Sequence, residues 1–205
     1  MRLMKGKGLL LVVSGPSGAG KGTICKALAQ ANKDVYLSIS ATTRSPRCGE
    51  VEGESYYFKS EEEFKKMIEN DELLEWAAFC NHYYGTPKES VYKMLNEDKN
   101  VILEIDVQGA LKVKKKYPDG VFVFILPPSM EELRNRIINR GTESQEVINA
   151  RLNTARLEFT HINNYNYIIV NDTVENAVRN LEAIIIAERC KVERNQQIIK
   201  EVCDI

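Results

Sequence analysis

The chain has 205 residues, 43% of them hydrophobic, enough for one sizeable core, and its 28 basic and 29 acidic residues leave a formal charge of −1. That balance excludes a general electrostatic attraction to nucleic acid or an anionic membrane, so any anion must be held locally. Five cysteines without CxxC spacing and two histidines support neither a disulfide framework nor a zinc site.

The first apolar run, Leu9 to Ser14, reads as a buried strand. It is too short to span a bilayer and no small-residue cleavage site follows it, which points to a cytoplasmic protein without membrane attachment. Directly after it comes Gly15-Pro16-Ser17-Gly18-Ala19-Gly20-Lys21-Gly22-Thr23, followed by a helical pattern. A glycine-rich segment between a strand and a helix is the context of a P-loop: glycines let backbone NH groups fold around phosphates, the helix start adds its positive end, and Lys21 reaches the β- and γ-phosphates. Gly22 stands where a Ser or Thr usually offers Mg²⁺ a hydroxyl, which leaves the ion to the ATP phosphates, water and Thr23. The motif defines a nucleoside triphosphate site and no more.

Further strand-like runs occur at Val35 to Ser40, Val101 to Asp106, Val121 to Leu126 and Tyr167 to Val170, with helical signals between them. Short apolar strands alternating with helices predict a parallel sheet covered on both faces, an α/β fold. Capping boxes at Ser60/Glu63, Ser129/Glu132 and Asp172/Glu175 mark helix starts, and Thr86 before Pro87 reads as another N-cap. Two stretches interrupt the alternation: one holds an Arg- and Gly-containing loop, a short helix and the run Leu73 to Phe79, and the other is an Arg-rich helix pair hinged near Arg140-Gly141-Thr142.

In the first stretch, Arg44 and Arg47 lie three apart in a loop. Each guanidinium can donate two parallel hydrogen bonds to a phosphate, and the hydroxyls of Tyr56 and Tyr84 can donate to the same group. The segment Ser38 to Phe58, with Thr42-Thr43-Arg44-Ser45-Pro46-Arg47-Cys48-Gly49-Glu50 at its centre, resembles the signature of the guanylate kinase family. The resemblance continues through Leu74-Glu75-Trp76-Ala77, Tyr83-Tyr84-Gly85-Thr86, Ile102 to Gly109, Arg140-Gly141-Thr142-Glu143 and Ile169-Val170-Asn171-Asp172, and so covers almost the whole chain in order.

The resemblance implies a five-stranded parallel sheet in the order 2-3-1-4-5, flanked by helices. It implies one domain over 1–205, with a core of 1–38, 91–128 and 161–205, a GMP-binding region at 39–90 and a helical lid at 129–160. It implies transfer of the γ-phosphoryl group of ATP to GMP, and to dGMP, with Mg²⁺, in purine nucleotide metabolism, and no obligatory protein partner. Arg44, Arg47, Tyr56 and Tyr84 would hold the GMP phosphate. Guanine shows two donors, its ring imino hydrogen and its exocyclic amino group, where adenine shows a ring-nitrogen acceptor, so a carboxylate suits guanine and repels adenine. Glu75 is the candidate carboxylate, with Ser40 and Thr86 near the guanine carbonyl.

Glu104 and Asp106, two apart at the end of an apolar strand, share a face toward the crevice beyond the strands' carboxyl ends. Guanine donors, the arginines, or Mg²⁺ with its waters would each satisfy them, and local capping is the structural alternative. In the second stretch Arg136, Arg140 and Arg151 match lid positions; Arg140 and Arg151 join Lys21 and Arg44 as charge stabilisers, while Arg134 and Arg156 read as a solvated face. Asn171 matches a position that contacts the adenine of ATP. Adenylate kinases also accept a glycine after the P-loop lysine, but they lack Glu75 and the Ser38 to Phe58 signature. Peptide-binding guanylate-kinase-like modules have degraded phosphate loops, unlike Gly20-Lys21 here.

Overall fold

A computed structural model describes residues 8–79, 81–139 and 144–203. In chain order the elements are β1 (Leu10–Ser14), α1 (Lys21–Ala31), β2 (Val35–Leu37), β3 (Ala41–Thr42), β4 (Tyr57–Phe58), α2 (Glu61–Glu69), β5 (Leu73–Phe79) and β6 (His82–Pro87). Then follow α3 (Lys88–Asn96), β7 (Asn100–Glu104), α4 (Val107–Lys116), β8 (Val121–Leu126), α5 (Met130–Ile138), α6 (Gln145–Phe159), β9 (Tyr167–Val170), α7 (Val174–Arg189) and α8 (Gln196–Cys203).

The core is a five-stranded sheet, β2-β7-β1-β8-β9, with every pair parallel. Its central strands are apolar on both faces because both are covered. Leu11, Val13, Val123 and Ile125 pack with Ile24, Leu28 and Leu181 on the side of α1 and α7, while Leu10, Val12, Leu103 and Phe122 pack with Val91, Ala110 and Val113 on the side of α3 and α4. The parallel register brings the ends of β1, β7 and β8 to one edge, with Val13 opposite Glu104 and Ser14 opposite Phe124. Chemistry in such a sheet belongs at that edge.

The second strand is shorter than its apolar run suggests. The Ser38 NH still bonds to Ile102 O at 2.9 Å, but the Ser40 carbonyl accepts from Tyr57 N at 2.9 Å, so the chain leaves the core there and enters a second sheet. That sheet, β4-β3-β6-β5, is built over its own small cluster of Ala41, Phe64 and Leu73. It was not foreseen beyond the run Leu73 to Phe79.

Two helix starts differ from expectation. Thr86 is no cap: pairing of Leu73 with Pro87 carries β6 through it, and Pro87 occupies the N-cap of α3. At α7 the cap is Thr173, which accepts from Asn176 N, while the Asp172 carboxylate accepts from Thr173 N and from the Asn176 amide. The box at Ser60/Glu63 is complete, and Ser129 accepts from Glu132 N. The Glu132 carboxylate pairs instead with Arg136 at 2.7 Å.

Candidate active site

At the carboxyl edge of the core sheet, β1 turns into α1 through the P-loop. Gly15, Gly18 and Gly20 have φ of 142°, 95° and 92°, values that only glycine adopts readily. At Gly15 a side chain is also barred by space, since a Cβ would stand 2.3 Å from Ile125 O. Helix α1 starts at Gly20 without a side-chain cap, so its first NH groups are left to the loop. Lys21 Nζ folds back over that loop and donates to Gly15 O at 2.5 Å and Pro16 O at 3.0 Å. Ser17 is exposed and Ala19 fully buried, so the loop is anchored at one wall and open at the other.

Gly22 has a local reason. A Cβ there would lie 3.2 Å from both carboxylate oxygens of Glu104 at the end of β7, so the missing side chain makes room for that carboxylate beside α1. Thr23, one residue further, is exposed. Asp106, by contrast, is committed to capping: its Oδ1 accepts from Gly109 N at 2.7 Å at the start of α4. The two carboxylates of the pair therefore do different work.

Asn171 lies under the P-loop. It is buried, and its amide donates to Ala19 O at 2.7 Å, with Nδ2 2.2 Å from where a Gly20 Cβ would be. The Asn171 side-chain NH₂ is thus turned inward to brace the loop. Its backbone carbonyl accepts from Arg136 Nη2 at 3.1 Å, which ties α5 to the end of β9.

Helices α5 and α6 pair through Leu133, Ile137, Ile148, Leu152 and Ala155. Leu133 and Ile137 also reach the P-loop, where a Cβ on Gly18 would meet them at 3.1 and 3.2 Å. Arg151 on α6 is half-buried, and Arg134 and Arg156 are exposed. Arg140 and the rest of Arg140-Gly141-Thr142-Glu143 lie outside the described residues.

Glu158 was missed. It is seven residues after Arg151 and so on the same face of α6. Burial pushes its carboxyl up to about 6, with the Lys21 charge opposing that shift and the Asp106 charge adding to it. The seven-residue spacing was the signal available in the sequence.

The second sheet and the loop beside it gather the residues expected to hold GMP. Arg44 follows β3; its side chain is 12% exposed, pairs with Glu50 Oε1 at 2.8 Å and stacks 5.4 Å from the centre of the Tyr56 ring. Tyr84 on β6 meets Tyr56 edge to face at 6.2 Å. The other Glu50 oxygen accepts from Arg47 N at 2.8 Å, and the Arg44 guanidinium holds the Glu50 carboxyl below the usual carboxylate range. Glu50, also missed, therefore organises the loop that presents both arginines; the Arg47 side chain remains exposed. The cleft between this loop and α1 is lined by Gly22, Lys26, Ser40, Glu50, Tyr56 and Glu104.

Glu75, on β5, is 5% exposed and accepts from the Thr86 hydroxyl at 2.9 Å. Its Oε2 packs against Gly109, where a Cβ would come within 2.7 Å, so only glycine fits beside the carboxylate. Burial pushes its carboxyl up to about 7; the Thr86 hydrogen bond opposes this and the Asp106 charge adds to it. Losing Thr86 as a helix cap and finding it as a partner of Glu75 is one rearrangement seen from two sides.

The P-loop between β1 and α1 and the parallel sheet around it define a nucleotide-binding α/β protein of the P-loop class. The family model for guanylate kinase matches residues 7–188. A guanylate kinase of Caldanaerobacter subterraneus subsp. tengcongensis is 62% identical over 97% of each chain, and one of Clostridium perfringens strain 13 is 58% identical over 95% of this chain and 90% of that one. The crystal structure of guanylate kinase from Anaplasma phagocytophilum superposes with a TM-score of 0.80 at 33% identity, covering 99% of both chains. This chain belongs to the guanylate kinase family. Among the described residues no helix is long and apolar enough to cross a membrane, and no group of three or more His, Cys, Asp or Glu residues is placed to hold a metal ion.

Proposed function

We infer that this chain is an ATP:GMP phosphotransferase, which moves the γ-phosphoryl group of ATP to the 5′-phosphate of GMP and yields ADP and GDP. The observation that carries the acceptor assignment is Glu75: a carboxylate buried beside Thr86, on the sheet that also presents Arg44, Tyr56 and Tyr84. In this reading residues 39–90 are the GMP-binding region and 129–160 the lid over the core.

A nucleoside monophosphate needs no general base, because its second phosphate pKa is about 6 and the dianion is already nucleophilic. The protein's task is to align two phosphates, exclude water and spread charge. The loop from Gly15 to Thr23 and Lys21 hold the triphosphate, Arg136 and Asn171 secure the loop and the ATP side, and Arg140 and Arg151 stabilise charge from the lid. Arg44, Arg47, Tyr56 and Tyr84 hold the acceptor phosphate, and Ser40 and Thr86 flank the base.

The donor set at Gly22 suits Mg²⁺, a hard cation that keeps most of its water and takes one or two carboxylates plus phosphate oxygens. Glu104, facing Gly22, and Thr23 are the residues that would hold it through water. When bound, the ion neutralises charge on the transferring phosphoryl group.

Changing Glu75 to Gln tests the acceptor assignment. Gln keeps the size but turns one acceptor oxygen into a donor NH₂ facing a guanine donor, so one polar pairing is lost. Leaving a buried polar group unpaired costs about 1–3 kcal/mol, so at pH 8 the GMP specificity constant is expected to fall roughly tenfold to a hundredfold. The gap between GMP and AMP is expected to narrow. Wild-type values for both in steady-state assays would make Glu75 a bystander.

A further inference from the structure

Glu75 faces few groups able to keep it ionised. Its one hydrogen-bond donor among the described residues is the neutral Thr86 hydroxyl. Helix α4 packs on β5 and presents Asp106, Lys112 and Lys116 toward it, yet the two lysine ammonium groups donate to backbone carbonyls, Trp76 O at 2.6 Å and Leu74 O at 3.0 Å, rather than to the carboxylate. From β6 come Thr86 and, two residues along the same face, the Tyr84 phenol. Burial of this carboxylate beside another one, with no ion pair among the described residues, favours its neutral form more than water would.

The two forms suit different purines. The carboxylate offers acceptors to the imino and amino hydrogens of guanine. The neutral acid offers an OH where adenine, in the same pose, presents its ring-nitrogen acceptor, and the adenine amino group can then donate to the hydroxyl of Ser40 or Thr86. We propose that the protonation state of Glu75 selects the acceptor base, so that this chain phosphorylates AMP as a second substrate when Glu75 is neutral.

The inference rests on the reading of Glu75 as the base-recognising residue. The shift of its carboxyl to about 7 agrees with the structural argument and places the change within reach of ordinary assays. The transfer step itself is unaltered. An oxygen of the AMP 5′-phosphate forms a bond to the γ-phosphorus of ATP as the bond from that phosphorus to its bridging oxygen breaks, giving two ADP, and the Glu75 proton is not consumed.

The test is kcat/KM for GMP and for AMP between pH 8 and pH 6, in the wild type and in Glu75→Gln. Ionisation of ATP and of the monophosphate is common to both substrates and cancels in the ratio. The ratio of carboxylate to acid changes about tenfold per pH unit, so the GMP-to-AMP preference of the wild type is expected to fall about tenfold for each unit of acidification. Glu75→Gln carries a permanent donor, so its preference is expected to be low and independent of pH. A wild-type preference that stays constant, or AMP transfer that stays undetectable at pH 6, overturns the proton switch. If the glutamine variant is nonetheless less selective at pH 8, base recognition by Glu75 survives that failure. A glutamine variant with the wild-type preference at pH 8 overturns both.

Discussion

Replacing Lys21 with Met is expected to leave the protein folded and to lower turnover by at least about a hundredfold, the scale on which a single preorganised charge stabiliser acts. The folded state should survive because α1 is anchored by Ile24, Cys25 and Leu28, which are fully buried, whereas Lys21 lies over the loop. The substitution removes the ammonium that bridges the Gly15 and Pro16 carbonyls and, in the proposed reaction, the charge that meets the transferring phosphoryl group. An unfolding curve like that of the wild type, together with the loss of turnover, is the expected pair of results. Wild-type turnover in the folded variant would remove the P-loop lysine from the mechanism.

Arg44→Ala is expected to act on the acceptor side with comparable force. Arg44 is largely buried, ion-paired with Glu50 and stacked on Tyr56, so its removal both deletes a phosphate ligand and leaves the Glu50 carboxylate without its partner. Losing a hydrogen bond to a charged group costs about 1.5–3 kcal/mol, which corresponds to a fall of roughly tenfold to 150-fold in the GMP specificity constant. The ratio of GMP to AMP should not move, because Arg44 is assigned only to the phosphate that all monophosphates share. A change in base preference without loss of affinity would place Arg44 at the base instead.

The P-loop was legible because strand, glycines, lysine and helix are consecutive in the chain, so local sequence alone specifies the geometry. The core strands were legible for a related reason: coverage on both faces makes them continuous apolar runs that stand out against the helices. The second sheet was not, since β3 and β4 have two residues each and exist only through partners far along the chain.

The same cause explains the misassigned caps. Whether Thr86 caps a helix or lies in a strand depends on how far β6 pairs with β5, which a capping pattern does not encode. Among the proposed site residues, Arg44, Tyr56, Tyr84 and Glu75 were nominated by side-chain chemistry and resemblance. Direction could not: nothing in the sequence says that Asn171 faces Ala19 from below, or that Asp106 turns to its own helix while Glu104 faces Gly22. Glu50 and Glu158 were hidden because acidic residues on a loop and a helix read as solvated charge until the fold sets them beside Arg44 and Lys21.

The most direct measurement is transfer of γ-labelled phosphate from Mg²⁺-ATP to GMP, AMP, CMP, UMP and dTMP, compared as specificity constants at pH 8, above the value of about 7 to which burial raises Glu75. A pocket that pairs a buried carboxylate with guanine donors predicts a GMP constant at least about a hundredfold above that of every other acceptor in the panel. Equal use of another monophosphate, or label passing only to water, would contradict the account.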